Sequence, residues 1–141
     1  RTSLSNAYEA AAVLSLREQV GADVRAFFAY VSTEPAGFEL LFGPRNAGTA
    51  AAVRNVLLDD ISEHLAQRLA DFREPSGSAK PSWAERQLAP MLVSSSITAA
   101  QHSMMRGEEL DRACVLATAY MVAGLEALTS RGWSSLRQSM S

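Results

Sequence analysis

An all-α fold, a bundle of about five helices, is the fold class that the sequence predicts. Apolar residues recur at three- and four-residue spacing along most of the chain, whereas the alternation of apolar and polar residues that marks a strand is rare. Residue types that favour helices, chiefly Ala, Leu, Arg, Glu and Met, dominate these periodic stretches. The 141 residues, 48% hydrophobic and 20% charged, are enough for one domain with a true core. We therefore expect residues 1–141 to form a single helical domain without strands.

The first two helices are predicted over residues 5–33 and 35–42, with Gly21 as the point where the first could break. Pro35 separates them, because proline lacks the N–H that a helix interior needs while its fixed φ suits the first turn of a new helix. The pair Gly43–Pro44 then ends the second helix, with the glycine in a left-handed cap. The apolar faces of these helices consist of Val20, Val24, Phe27, Phe28 and Val31 in the first and Phe38, Leu41 and Phe42 in the second.

An amphipathic helix, a proline, a short aromatic helix and a glycine-proline stop follow one another in the segment 25–44, RAFFAYVSTEPAGFELLFGP. This succession resembles the first core helices of the ligand-binding domain of TetR-family (tetracycline-repressor-like) transcription regulators. The helix-turn-helix expected at the N-terminus of such a protein is not in this sequence, whose residues 1–15 already have a helical pattern. The resemblance therefore implies the sensing and dimerising part of a regulator, usually a repressor, without the head that binds operator DNA.

A third helix, predicted over residues 49–72, carries the main hypothesis for a site. Arg54, His64 and Arg68 project from its apolar arc, where a charged group must be paired, must extend to solvent or must face a cavity. A ligand pocket would account for them. Alternatively, the arginines reach into solvent near the helix ends and His64 is a hydrogen-bonded core histidine. The apolar arc consists of Val53, Leu57, Leu58, Ile61, Leu65, Leu69 and Phe72, and the opposite side of Asp59, Asp60, Glu63 and Gln67.

Aromatic and aliphatic side chains around a few polar groups are the usual lining of a small-molecule site, although plain core packing is the alternative for the phenylalanines. The effector is expected to be a largely apolar small molecule, and arginines that point inward would favour an anion. The predicted ligand-binding residues are Phe27, Phe28, Phe42, Arg54, Leu57, Ile61, His64, Arg68, Trp83, Met91 and Ser95.

The fourth helix is predicted over residues 82–106, between a Ser- and Pro-containing surface loop and Gly107. Ser82 and Glu85 have the spacing of a capping box at its start. Pro90 lies inside the helix and is expected to bend or break it, because the carbonyl group one turn earlier loses its donor.

The fifth helix, predicted over residues 108–130 and followed by Gly132, is apolar on all sides, since residues 113–125 carry no charge. The core of the chain can cover one side, and a second chain would cover the other. Together with the fourth helix this predicts a homodimer with a four-helix interface, as in TetR-family dimers; a monomer with a thicker core is the alternative. The predicted interface residues are Val93, Ile97, Ala100, Met104, Leu110, Cys114, Ala117, Met121 and Leu125.

The charge distribution, the lack of a recognisable signal or membrane segment and the single cysteine limit the kinds of protein that this chain could be. Thirteen Lys and Arg residues are scattered among fifteen Asp and Glu residues, which is not the pattern of a DNA-binding surface. No signal segment or membrane span is recognisable, so a cytoplasmic location without a membrane partner is expected. The single cysteine, Cys114, is predicted to be a small core residue.

Catalysis has little support in the sequence. His64 and His102 lack the spacing of a zinc site, and the chain has no nucleophile elbow, P-loop or dinucleotide fingerprint. We therefore predict no enzyme, no metal and no cofactor. The alternative to a sensor domain is a helical dimerisation or scaffold module that binds a protein partner, and a helix-bundle enzyme is a third hypothesis.

Overall fold

A computed structural model describes residues 2–43 and 48–129, and the side chains of residues 16–43 and 48–128. Over these residues the fold is all-α, which confirms the predicted fold class. The expected stop at Pro44 and the helix end marked by Gly132 lie outside the described residues. The helices are α1 (Thr2–Thr33), α2 (Pro35–Phe42), α3 (Thr49–Arg73), α4 (Trp83–Arg106) and α5 (Leu110–Thr129).

The junction between α1 and α2 follows the local chemistry of the sequence. Helix α1 passes through Gly21 without a break, and α2 begins at Pro35 after the single linking residue Glu34. Gly43 ends α2 in an extended conformation, with φ at −74°, and the expected left-handed cap is therefore wrong. Glycine still suits the position, because a Cβ atom there would collide with the carbonyl oxygen of Glu39.

Helix α4 has the predicted signals at both of its ends. Ser82 Oγ accepts a hydrogen bond from the Glu85 N–H at 3.2 Å, and Glu85 Oε1 accepts one from the Ser82 N–H at 2.8 Å, which confirms the capping box. Gly107 ends the helix in the left-handed conformation, with φ at 66°. The helix continues through Pro90, so the break considered at that position does not occur.

The five helices pack around a core formed mainly by α1, α2, α4 and α5. Helix α3 packs along α4, α4 along α5 and α1 along α5, while α2 joins α1 and α3 at one end. The Phe27 ring meets those of Phe28 and Phe38 edge-on, with centroids 5.7 and 6.0 Å apart. Buried core residues include Val20, Val24, Phe28, Val31, Phe38, Phe42, Leu69, Ala100, Cys114, Ala117, Met121, Val122 and Leu125.

The residues predicted to form the dimer interface are mostly inside the chain. Five of them are buried in the core, where α5 packs against α1 and α4: Ala100, Cys114, Ala117, Met121 and Leu125. Because their side chains are covered within the chain, the prediction that they contact a second chain is corrected. The other four are partly buried; Met104 and Leu110 pack against the core, and Val93 and Ile97 line a cavity. Burial of Cys114 agrees with its prediction as a core residue.

The opposite side of α5 is exposed and apolar. Leu116 is 72% exposed and Tyr120 70%. We call this surface the outer α5 face, and it consists of Val115, Leu116, Ala119, Tyr120 and Ala123. The side of α5 that was predicted to face a second chain thus faces the core, and the opposite side is exposed.

A buried carboxylate holds the end of α3 to the start of α4. Arg73 Nε donates to Glu85 Oε2 at 2.9 Å, and its Nη2 donates to Glu85 Oε1 at 3.1 Å and to the Lys80 carbonyl oxygen at 3.0 Å. Burial by itself raises the pKa of the Glu85 carboxyl, but the hydrogen bonds from Arg73 and Ser82 outweigh it and leave the pKa below the ordinary value of 4.5. The ionised form of Glu85 is therefore the one that stabilises the fold.

Replacing Glu85 by glutamine is expected to lower the free energy of unfolding by about 2 kcal/mol at pH 7, because a charge-assisted pair becomes a neutral one. Since the pKa of Glu85 is lower in the folded state, its contribution is present above the unfolded-state pKa and is lost as the pH falls through the folded-state value. Urea unfolding followed by circular dichroism at pH 7 and pH 4 measures both effects.

The matched control is Glu63→Gln, which removes the exposed ion pair between Glu63 and Arg86, 3.2 Å apart. We expect it to change the unfolding free energy by less than about 0.5 kcal/mol. Equal losses in the two variants, or a Glu85→Gln loss that persists undiminished at pH 4, would contradict the role given to Glu85.

Candidate functional site

A cavity of about 400 Å³ opens between α1 and α3, with α4 forming its inner wall. Its size falls within the range of roughly 300–1,000 Å³ that is typical of small-molecule sites. Phe42 from α2 and Met121 from α5 also contribute to its lining. The apolar lining residues are Val20, Val24, Ala26, Phe27, Phe42, Leu57, Leu58, Ile61, Leu65, Leu92, Val93, Ile97 and Met121.

The cavity exists because α3 is packed closely only in its second half. Ala66, Leu69 and Ala70 are buried there, whereas Leu57 and Ile61 in the first half are 38% and 41% exposed and face the cavity. Among the described residues, α1 and α3 are not packed side by side. Apolar surface that the helical pattern would place in a core is thus left uncovered, and a ligand between α1 and α3 would bury it.

Polar groups in the lining come from three helices. Arg68 Nη2 on α3 lies 2.6 Å from Asp23 Oδ2 on α1, an ion pair that spans the space between the two helices. His64 Nδ1 lies 2.8 Å from the Asp60 carbonyl oxygen; since that oxygen only accepts, Nδ1 carries a proton. Ser96 Oγ on α4 donates to the Leu92 carbonyl oxygen at 3.3 Å.

Six of the eleven predicted ligand-binding residues line this cavity: Phe27, Phe42, Leu57, Ile61, His64 and Arg68. That they bind a ligand stays a prediction.

The other five predicted residues lie elsewhere. Phe28 is buried in the core, and Arg54 lies outside the cavity with its Nη2 3.5 Å from Asn55 Oδ1. Trp83 and Met91 are exposed on α4. Ser95 donates to the Met91 carbonyl oxygen and does not reach the lining, because in the register of α4 it is the next residue, Ser96, that faces the cavity.

Other residues that line the cavity are not among those predicted to bind a ligand. Val20 and Val24, predicted only as part of the apolar face of the first helix, form part of a cavity wall. Asp60 is exposed, as predicted for the solvent side of the third helix, and it also reaches the lining, since the cavity is wider than the apolar arc. Asp23 carries no sequence signal, because its partner Arg68 is on another helix.

Comparison with known proteins leaves the resemblance to TetR-family regulators a prediction. No family model matches the chain, and no curated protein or solved structure matches it significantly.

The described part of the chain contains neither a membrane-spanning helix nor a metal-binding cluster. None of its helices combines the length and the hydropathy needed to cross a membrane. Within the same residues, no three side chains of the metal-binding types His, Cys, Asp and Glu come together as a set that could hold a metal ion.

Proposed function

We propose that this chain is the small-molecule-sensing and dimerising domain of a TetR-like transcription regulator, most often a repressor in that family. One observation carries the proposal: an apolar cavity of about 400 Å³ lies between two helices, with partly exposed Leu57 and Ile61 in its wall. An effector of mainly apolar character would bury this surface, and each buried square ångström contributes about 25 cal/mol.

Self-association is the second part of the proposal, with the outer α5 face as the interface. Monomeric proteins rarely expose a continuous apolar surface of this kind. A second copy is the partner that we propose, because residues 113–125 carry no charge and two copies of this face meet without burying an unpaired charge. The small side chains of Ala119 and Ala123 allow two α5 helices to approach closely.

Coupling between effector and dimer would pass through α5. Met121 lines the cavity from the inner side of α5, while Leu116 and Tyr120 lie on its outer face. An effector that favours one position of α5 would favour one arrangement of the dimer. In the family mechanism this changes the spacing of two helix-turn-helix heads, which would lie outside these 141 residues and would alone contact operator DNA in the cytoplasm.

Titration with N-phenyl-1-naphthylamine, a neutral dye that fluoresces in apolar surroundings, tests the sensor function. We expect saturable binding of one dye molecule per chain with a dissociation constant of about 10 µM, a common affinity for an apolar ligand of this size. An absence of saturable binding would overturn the sensor function, and a dimer without dye binding would favour a helical scaffold module that binds a protein partner.

A further inference from the structure

We infer that the cavity accepts an apolar molecule with a cationic or neutral polar end and discriminates against a carboxylate. The inference rests on the proposed function and specifies the ligand class of the same site. It differs from the anion that inward-pointing arginines would favour, because Arg54 lies outside the cavity and Arg68 is already paired.

The charges of the lining leave one carboxylate uncompensated. Asp23, Asp60 and Arg68 are its charged residues. Arg68 Nη2 and Asp23 Oδ2 are 2.6 Å apart and their charges offset each other, so the lining as a whole carries one net negative charge. Among the described residues, the Asp60 carboxylate has no ion-pair partner, because only its backbone carbonyl contacts His64.

Apart from the remaining N–H groups of Arg68, the hydrogen-bonding groups that remain free in the lining are acceptors. With its Nδ1 proton donated to the Asp60 carbonyl oxygen, His64 presents Nε2, which is an acceptor in that tautomer. Ser96 donates its hydroxyl proton to the Leu92 carbonyl oxygen, which leaves the lone pairs of its Oγ. An ammonium group has three donors and no acceptor, and it complements this set; a carboxylate has only acceptors.

Three probes with the same decyl chain and different polar ends test the inference: decylamine, decanol and decanoate. Each displaces bound N-phenyl-1-naphthylamine at pH 8, where imidazole rings are neutral, and below micelle-forming concentrations. We expect decylamine to bind most tightly, decanol less tightly and decanoate about tenfold more weakly than decylamine, the effect of one nearby charge in a partly solvated site.

Asp60→Asn removes the uncompensated charge and should reduce the preference for decylamine over decanoate to about twofold. Asp59→Asn is the matched control, because Asp59 is the adjacent exposed carboxylate on α3 and does not line the cavity. It should leave the tenfold preference unchanged.

Three other results would contradict either the ligand class or the sensor function. Decanoate binding as tightly as decylamine would overturn the ligand class while leaving a sensor in place. Equal effects of Asp60→Asn and Asp59→Asn would also overturn it, since the preference would then come from overall charge. Failure of the dye itself to bind would count against the sensor function.

Discussion

Replacing Leu116 by glutamate is expected to convert a dimer into a monomer that remains folded. Leu116 is 72% exposed on the outer α5 face, so the change removes no core contact. In a symmetric dimer each chain would place a carboxylate in an apolar surface, close to its symmetry mate. We expect the dimer dissociation constant to rise at least about a hundredfold, since burying an unpaired carboxylate in an apolar interface costs several kcal/mol. Sedimentation equilibrium measures it.

The same substitution at Val56 is the control for this experiment. Val56 lies on α3 and is 70% exposed, so Val56→Glu introduces the same carboxylate at nearly the same exposure on another helix. It should leave the dimer intact. A wild-type chain that sediments as a monomer, or a dimer that Val56→Glu disrupts as strongly as Leu116→Glu does, would contradict the outer α5 face as the interface.

Replacing Ile61 by tryptophan is expected to weaken the binding of N-phenyl-1-naphthylamine by about thirtyfold or more. The indole would occupy space in the cavity that the dye needs, and the dye would lose apolar contact of about 2 kcal/mol or more. Because Ile61 is 41% exposed, the larger side chain does not have to enter the core, and thermal stability should be retained. Fluorescence titration gives the affinity, and circular dichroism confirms the fold.

Val56→Trp is the matched control for the cavity. Val56 is on the same helix as Ile61 but outside the cavity lining, so a tryptophan there adds the same ring without filling the space. We expect wild-type affinity for the dye. If Ile61→Trp also binds the dye with unchanged affinity, the dye does not occupy the space between α1 and α3.

The helices could be predicted from the sequence because local chemistry decides where they begin and end. Pro35 starts α2 and the Ser82–Glu85 capping box starts α4, in each case through backbone hydrogen bonding within a few residues. The α3 wall of the cavity was predictable for a similar reason, since helical spacing alone places Leu57 and Ile61 on one side.

The orientation of α5 could not be predicted in the same way. Its sequence has two apolar stripes of similar strength, and periodicity does not state which of them meets the core. Packing of α1 and α4 against Cys114 and Met121 decides the matter, and that packing depends on residues far away in the chain. The argument for a dimer, an excess of apolar surface on α5, therefore still applies, but the interface that we propose is the outer α5 face.

Charge at the site also depends on tertiary contacts. Arg68 appeared in the sequence as an unpaired cation in an apolar arc, and the ion pair with Asp23 on α1 neutralises it. Asp60, which helical geometry placed toward solvent, supplies the remaining charge of the lining. Of the two arginines that would favour an anion if they pointed inward, only the paired Arg68 lines the cavity, and the ligand end that we propose is cationic or neutral.

The most direct test of a small-molecule site is a crystal structure of the chain grown with 1-bromonaphthalene, a neutral apolar compound whose bromine is located by anomalous scattering. The proposed function predicts an anomalous peak between α1 and α3, in contact with Leu57 and Ile61. Direct packing of α1 against α3 with no space between them, or bromine found only on the outer α5 face, would contradict the proposal.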